Sequence, residues 1–377
     1  MLDLQETREK IDEIDNQIVE LFKARMELTN EVAAYKIKTG KKVFDKEREE
    51  QKLDILSKKA EDCFHKQAIK ELFSQIMSIS RKRQYALISE GKSDIPFTKV
   101  KGLEEKINKT VVVFGERGSY TEQAMEEYFG TNIESYNVNT FKGVLEFLRD
   151  GKAEYGVLPI ENTSTGGITD IYDLLSQYDT CIIGQHVVKV EQALVGLSGT
   201  EIENIKTVYS HPQGLMQCAK YLEAHPYMKK ETFSSTAGGA KKVLEDGDIT
   251  QAAIASERAA KVYGLEVLQP CINHVDNNYT RFIIVTNKKI YFEDADKVSI
   301  YFEIPHKSGS LYQILSHFIY NDLNLTKIES RPMREKSWEY RFFVEFQGNL
   351  QEPGVQNALF GIREEAANIK ILGNFKC

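Results

Sequence analysis

Asn278-Tyr279-Thr280-Arg281-Phe282-Ile283-Ile284-Val285 is the stretch that divides the chain. Phe282 to Val285 is an apolar run that reads as a buried strand. A hydroxyl and a guanidinium stand at its mouth. Groups so placed face a ligand cleft, or else they belong to a turn that is merely polar. Upstream, residues 111–287 alternate short strands and helices. Downstream, past Lys288-Lys289, residues 297–377 form a separate small unit.

The upstream segment repeats one arrangement. Val111-Val112-Val113-Phe114 is a short buried strand that runs into Gly115-Glu116-Arg117-Gly118-Ser119-Tyr120-Thr121 and then a helix. Such a turn places backbone N–H groups at a helix N-terminus, where anions bind. It is not the Gly-x-Gly-x-x-Gly fingerprint, which disfavours a dinucleotide-binding dehydrogenase. Tyr155 to Ile160 is a second strand, ending in Glu161-Asn162-Thr163-Ser164-Thr165-Gly166-Gly167 and again opening a helix. Tyr209-Ser210-His211-Pro212-Gln213, with Gln217 one turn on, repeats the pattern. So do Ser234-Ser235-Thr236-Ala237-Gly238-Gly239 and Ala253-Ile254-Ala255-Ser256-Glu257. Repeated strand, hydroxyl-rich turn and helix entry predict a two-lobed α/β domain whose loops converge on a cleft. Ser210 and His211 are adjacent and point apart, and no G-x-S-x-G elbow exists, so a hydrolase triad is disfavoured. No acid or histidine cluster has metal spacing, so no metal is expected.

Taken together and in order, these motifs resemble prephenate dehydratase across residues 111–287. The resemblance implies a periplasmic-binding-protein-like fold and the loss of CO2 and hydroxide from prephenate to give phenylpyruvate. It implies that Thr280 assists the departing hydroxyl. Asn162, Ser164, Ser210 and Gln217 would orient the substrate, among further site residues Ser119, Tyr120, Thr163, Ser235, Thr236 and Phe282. Arg281 is the carboxylate partner by charge, its alternative being a structural ion pair. Glu116 replaces a proline often found in the first turn, and Ser234 stands where some members carry an acid.

Residues 1–90 read differently. Gly40 is the only glycine before Gly91 and the first proline is Pro96, an absence of breakers that predicts helices. Leu4, Ile11, Ile14, Ile18, Leu21, Leu28, Val32 and Tyr35 have the 3-4 spacing of a coiled-coil-like seam. Arg8 and Arg25 interrupt it, and Lys36 follows one turn past Val32. A second helix is expected from Asp45, and a third from Phe64 to Ile88 with Ser80 and Gln84 on one face. A buried arginine costs several kcal/mol unless an anion satisfies it. The cations therefore fix register through ion pairs or bind a small polyanion. Arg8 and Arg25 are 17 residues apart, about 25 Å along a helix. If both serve one site, Arg8 comes from an antiparallel partner in an intertwined dimer.

Arg8, Arg25, Lys36, Asp45, Arg48, Glu49, Ser80 and Gln84 together resemble the active-site positions of the all-helical chorismate mutases. The resemblance implies rearrangement of chorismate to prephenate. That reaction needs no nucleophile, only a compact substrate conformer and stabilised charge on the ether oxygen. Arg8 and Arg25 would hold carboxylates. Lys36 and Gln84 would donate to the ether oxygen, with Arg48 and Glu49 completing the pocket. Glutamine at that position, in place of a protonated glutamate, implies activity at neutral pH.

Residues 91–110 read as a surface connector with one short helical turn. Residues 297–377 predict a β-α-β-β-α-β order, the ferredoxin-like α+β plait. Gly309-Ser310-Leu311 and Glu329-Ser330-Arg331-Pro332 resemble the phenylalanine-binding elements of ACT domains. The alternative is a dimerisation plait without ligand.

A net charge of −7 argues against a nucleic-acid-coating surface. It is unevenly spread: residues 1–90 hold 18 cations and 18 acids, the rest 31 and 38. There is neither a signal-peptide pattern nor an apolar run long enough for a bilayer. Five scattered cysteines without a C-x-x-C pair indicate reduced, cytoplasmic thiols. The sequence thus predicts a multidomain, cofactor-free enzyme acting on chorismate and prephenate and inhibited by L-phenylalanine, a homodimer or higher oligomer without nucleic-acid or membrane partners. Rival readings are a small-acid sensor with a helical dimerisation unit, and a dehydratase alone.

Overall fold

In a computed structural model, which describes residues 3–89, 95–102, 109–333 and 339–377, the chain opens with α1 (Leu4–Thr39). Asp3 caps it, accepting from Gln5 N at 2.9 Å, and Gly40 ends it at φ 68°, a left-handed conformation that favours glycine. Asp45 caps α2 (Lys46–Ser57), and α3 (Cys63–Ser89) follows. These helices lie in a unit comprising Met1–Ile95, Phe302–Ile328 and Pro332–Ile369. Thr29 and Ala33 are the residues α1 buries. The predicted seam is exposed: Leu4 63%, Ile11 51%, Leu21 71%, Leu28 60%. Its apolar stripe is left uncovered within one chain.

The other unit comprises Pro96–Tyr301, Glu329–Arg331 and Lys370–Cys377. Its first lobe carries β1 (Thr98–Val100), β2 (Thr110–Phe114), α4 (Tyr120–Phe129), β3 (Glu134–Val138), α5 (Phe141–Arg149), β4 (Tyr155–Asn162), β5 (Gly166–Gly167), α6 (Thr169–Gln177) and β6 (Cys181–Lys189). The second holds β7 (Ala193–Gly196), β8 (Thr207–Ser210), α7 (Pro212–Gln217), α8 (Ala219–Ala224), β9 (Lys229–Thr232), α9 (Thr236–Asp246), β10 (Gln251–Ala255), α10 (Glu257–Tyr263) and β11 (Glu266–Gln269). The chain then returns through β12 (Tyr279–Thr286), β13 (Ile290–Phe292) and β14 (Lys297–Glu303).

Two sheets give the two lobes. One runs β6-β12-β4-β2-β3, the other β11-β7-β10-β8-β9. Val111, Val113, Val157, Ile183, Phe282 and Ile284 pack the first core. The second sheet is covered on both faces, by Ala237, Ala240 and Val243 on one side and Cys218 and Leu222 on the other. In the first sheet β12 lies antiparallel between β4 and β6, with Thr280 opposite Asn162 and Arg281 opposite Glu161. That register places the decisive stretch beside the polar end of β4.

Two expectations are corrected. Glu161–Gly167 does not open a helix directly. Gly166, at φ 77°, turns the chain back so that Gly167 pairs with Glu161 and Gly166 with Asn162, and α6 begins after this hairpin. The linker contains a strand, since β1 pairs in parallel with β13. Gly91–Asp94 and residues 103–108 of the connector, in which one short helical turn is expected, lie outside the described residues.

The C-terminal segment continues with α11 (Ser310–Tyr320), β15 (Leu325–Pro332), β16 (Tyr340–Gln347), α12 (Pro353–Glu365) and β17 (Asn368–Phe375). With β14, this is the predicted β-α-β-β-α-β order. Gln347 N donates to Asn324 O at 2.9 Å and Ala367 N to Glu303 O at 2.8 Å, tying the segment together. Ile314 and Phe318 of α11 and Val355, Leu359 and Ile362 of α12 are buried.

Candidate active sites

A cavity of about 740 Å³ opens among α1, α2 and α3. Seven of the eight positions singled out in the helical segment line it: Arg25, Lys36, Asp45, Arg48, Glu49, Ser80 and Gln84. Arg8 does not; it is exposed near the start of the same continuous helix. Seven cations and three acids line the cavity, an excess suited to a dianion. Arg25 Nη1 donates to Ser80 Oγ, and Lys36 Nζ to Val43 O at 2.7 Å. Burial lowers the pKa of both Arg25 and Lys36, against the opposing pull of Glu49 on each and of Asp45 on Lys36. Both are thus cations partly stripped of water, which an entering carboxylate stabilises. Gln84 donates from Nε2 to Ser80 O at 3.2 Å, while its buried Oε1 has no hydrogen-bond partner among the described residues.

The second site lies where β4 and β12 end. Asn162 Nδ2 donates to Thr280 Oγ1 and to Asn278 Oδ1, each at 2.9 Å. Ser164 N and Oγ both donate back to Asn162 Oδ1. Asn162, Asn278 and Thr280 are all buried. Side chains alternate across a strand, so Arg281 leaves β12 on the opposite face. There its Nε donates to Glu161 Oε1 at 2.6 Å and its Nη1 to Gln185 Oε1 at 3.0 Å. Phe282, expected at the site, is instead in the first-lobe core at 2% exposure. It belongs to the buried apolar run, not to the polar mouth.

From the second lobe, Ser210 Oγ donates to Ile254 O at 2.7 Å, and Gln217 Oε1 accepts from Gln192 Nε2 at 3.2 Å. Gly214 leaves room for this corner: a Cβ there would stand 2.6 Å from Ser210 Oγ and 3.1 Å from Thr236 Cγ2. Gln213 Nε2 reaches across to Thr165 Oγ1 at 3.3 Å, linking α7 to the β4–β5 turn. Tyr120 OH donates to Glu191 O at 2.5 Å, and burial holds its phenol well above the usual range, hence protonated. His211 caps α7 through Nδ1, and burial lowers its pKa.

Several hydroxyls have structural work of their own. Ser119 and Ser235 cap α4 and α9, accepting from Glu122 N and Gly238 N. Thr163 Oγ1 accepts from Tyr279 N and donates to Asn277 O, clamping the turn. Among the elements singled out for phenylalanine, Gly309 caps α11 at φ 81°. Ser310 and Leu311 line a cavity of about 130 Å³ with Pro305, Tyr340 and Phe342. Glu329 approaches Gly167, and Arg331 Nη2 pairs with Asp173 Oδ2 of α6 at 3.1 Å. Ser330 and Pro332 belong to β15.

A chorismate mutase type II family model matches residues 7–85, and a prephenate dehydratase model matches residues 111–290. The bifunctional chorismate mutase/prephenate dehydratase of Aquifex aeolicus is 32% identical over 380 residues, spanning 100% of this chain and 98% of that protein. The chain belongs to the bifunctional chorismate mutase/prephenate dehydratases. It is therefore an enzyme with both activities, and the sensor and dehydratase-alone readings fall away. Among solved structures, the prephenate dehydratase of Arthrobacter aurescens, in complex with L-Phe, is 30% identical with a TM-score of 0.66, covering 71% of this chain and 90% of that one. GqqA, described as a novel type of quorum quenching acylase, is 25% identical with the same TM-score, covering 71% and 98%.

Three residues of the two candidate sites carry no signal of their own in the sequence. Asn278 opens the decisive stretch, yet its side chain is legible only once β12 is registered against β4. Gln192 follows β6 at the lobe crossover, and its buried Oε1 has no partner among the described residues. Arg81 lines the mutase cavity and pairs with Glu49, with no periodic signal to mark it among the helix's cations.

Proposed function

We propose that chorismate is rearranged in the α1–α3 cavity and that prephenate is aromatised at the β4–β12 corner, under feedback by L-phenylalanine. The convergence of Arg25, Lys36, Glu49, Ser80 and Gln84 on one cationic cavity carries the reading of the mutase site. Arg25 holds one carboxylate and Arg8 of a second copy the other. Lys36 and Gln84 donate to the ether oxygen, where charge grows in the transition state. Arg48 and Glu49 complete the enclosure. The exposed seam of α1 supports the dimer this requires, since an uncovered apolar stripe from Leu4 to Tyr35 along a 36-residue helix calls for a second helix.

In the dehydratase half, the breaking C–C bond delivers its electron pair into the ring as CO2 leaves, and the ring C–O bond breaks to release hydroxide. Thr280 assists that departure. Its oxygen already accepts from Asn162, so its O–H proton is left to point at the leaving hydroxyl. Ser164, Ser210, Gln217 and Thr236 orient the substrate beside it. The pair with Glu161 makes Arg281 a residue that fixes β12, with the substrate carboxylate left to amide and hydroxyl donors. Strong stabilisation of that carboxylate would oppose its loss.

The C-terminal plait acts as the ACT domain. Gly309-Ser310-Leu311 and Glu329-Ser330-Arg331-Pro332 take L-phenylalanine, a ligand supported by the L-Phe complex of the Arthrobacter dehydratase. Boundaries of 1–90, 111–287 and 297–377 are supported by family models matching residues 7–85 and 111–290, and a reducing, cytoplasmic setting fits the five free cysteines. Separate variants test the assignment. Lys36→Ala should lose mutase activity and keep dehydratase activity, and Thr280→Ala should do the reverse. Loss of both activities in either variant contradicts two separate sites.

A further inference from the structure

Arg81 follows Ser80 on α3, and its side chain is 4% exposed. Its guanidinium is shared between two carboxylates. Nη1 donates to Glu49 Oε2 at 2.5 Å, and Nε to Glu365 Oε1 at 2.8 Å. Phe44 covers one face, its ring centre 4.8 Å from the guanidinium carbon. Glu49 lines the mutase cavity. Glu365 is the last residue of α12, in the plait, 284 positions along the chain from Arg81.

Glu365 is itself buried, its side chain 4% exposed. Tyr85 OH donates to the same Oε1 at 3.4 Å, and His317 Nε2 of α11 lies 3.4 Å from Oε2. Burial alone would raise the pKa of this carboxyl, but His317 and the Arg81 charge outweigh it and hold it at about 2. The contact is close by construction. A Cβ on Gly361 would stand 2.5 Å from the His317 ring and 3.2 Å from Tyr85, so glycine lets α12 approach α3. A buried guanidinium with two partners is costly to move, because either half-broken arrangement leaves a charge uncompensated.

We propose that Arg81 is a positioning residue for the mutase reaction and that Glu365, on the plait, fixes where it stands. Anchored through Nε, Arg81 presents Nη1 to one oxygen of Glu49 and leaves the other oxygen toward the cavity. The mutase site thus takes part of its geometry from a helix of the regulatory segment. Displacing α12 displaces Glu49 through a single side chain.

The inference rests on the proposed role of Glu49, so the test carries that variant too. In the full-length enzyme, Glu49→Gln should lower mutase kcat/KM; if it does not, the reading of the cavity fails first. Glu365→Gln should lower mutase kcat/KM about tenfold with dehydratase kcat and KM unchanged, and Glu365→Asp should recover part of the loss. The double variant should be no slower than Glu49→Gln alone, because both act through one carboxylate. Mutase activity within twofold of wild type in Glu365→Gln, beside an impaired Glu49→Gln, overturns the proposal. So do losses that multiply in the double variant. Should Glu365→Gln fail to fold, as lost dehydratase activity would report, Arg81→Lys reads the same link. A lysine cannot hold both carboxylates in the planar fork, so a tenfold mutase loss is expected, and unchanged activity overturns the proposal.

Discussion

Asn162 Nδ2 donates to Thr280 Oγ1 at 2.9 Å, across the register that sets β4 against β12. The bond occupies one lone pair of the Thr280 oxygen, and on the proposed reading its O–H proton faces the leaving hydroxyl. Thr280→Ala should lower dehydratase kcat about 10²-fold, the usual size for one donor aimed at developing charge. Thr280→Ser, which keeps the hydroxyl, should retain most of the rate. Steady-state kinetics with prephenate check this, and the mutase rate of each variant reports whether the chain is intact.

Gln84 lines the cavity among α1, α2 and α3, and the donor role proposed for it belongs to an amide, which does not titrate. Gln84→Glu should therefore give a mutase limited by acid pH. Only the protonated carboxyl can donate to the ether oxygen, so kcat/KM should rise as pH falls and drop with increasing pH. The unsubstituted enzyme should show a flat profile over the same range. The alkaline limb of both forms should reflect Lys36, whose pKa burial lowers from the ordinary lysine value. As pH rises, its charge is lost earlier than for an exposed lysine.

Arg8 and Arg25 stand on one unbroken helix, Leu4–Thr39, and Arg8 does not line the cavity that holds Arg25. If the site is shared between two copies, Arg8→Ala and Arg25→Ala should each lack mutase activity alone. Mixed and re-equilibrated, they should recover about a quarter of the wild-type rate, because mixed dimers hold one site with both arginines intact. An inactive mixture would contradict the shared site.

Arg331 pairs with Asp173 at 3.1 Å, joining a motif proposed to sense phenylalanine to helix α6. That helix follows the Asn162–Gly167 turn. Asp173→Asn should leave basal dehydratase activity within about twofold, since Asp173 lies on α6, outside the residues proposed to touch prephenate. It should raise the phenylalanine concentration needed for half-inhibition. Inhibition curves measured with prephenate decide the point.

Much of this was legible in the sequence, for physical reasons. The seam of α1 follows 3-4 spacing, and the strands of the dehydratase unit are short apolar runs bounded by glycines and hydroxyls. What escaped depends on distant partners. Arg81 sits in a helix with several other cations, and its acids lie 32 and 284 positions away. Ser119 and Ser235 carry the same local signal whether a hydroxyl caps a helix or meets a ligand, and here each caps a helix. Phe282 shares a motif and a strand parity with Thr280, but the β12–β4 register shifts between Arg281 and Phe282, and Phe282 packs into the core with Ile284. The β1–β13 pair is three residues long on each side, below what periodicity can mark.

The most direct test supplies purified enzyme with chorismate alone and follows prephenate and phenylpyruvate, with and without L-phenylalanine. The account predicts transient prephenate, accumulating phenylpyruvate, and suppression of phenylpyruvate by phenylalanine. Chorismate that persists while added prephenate is converted would contradict the assignment of Arg25, Lys36 and Gln84.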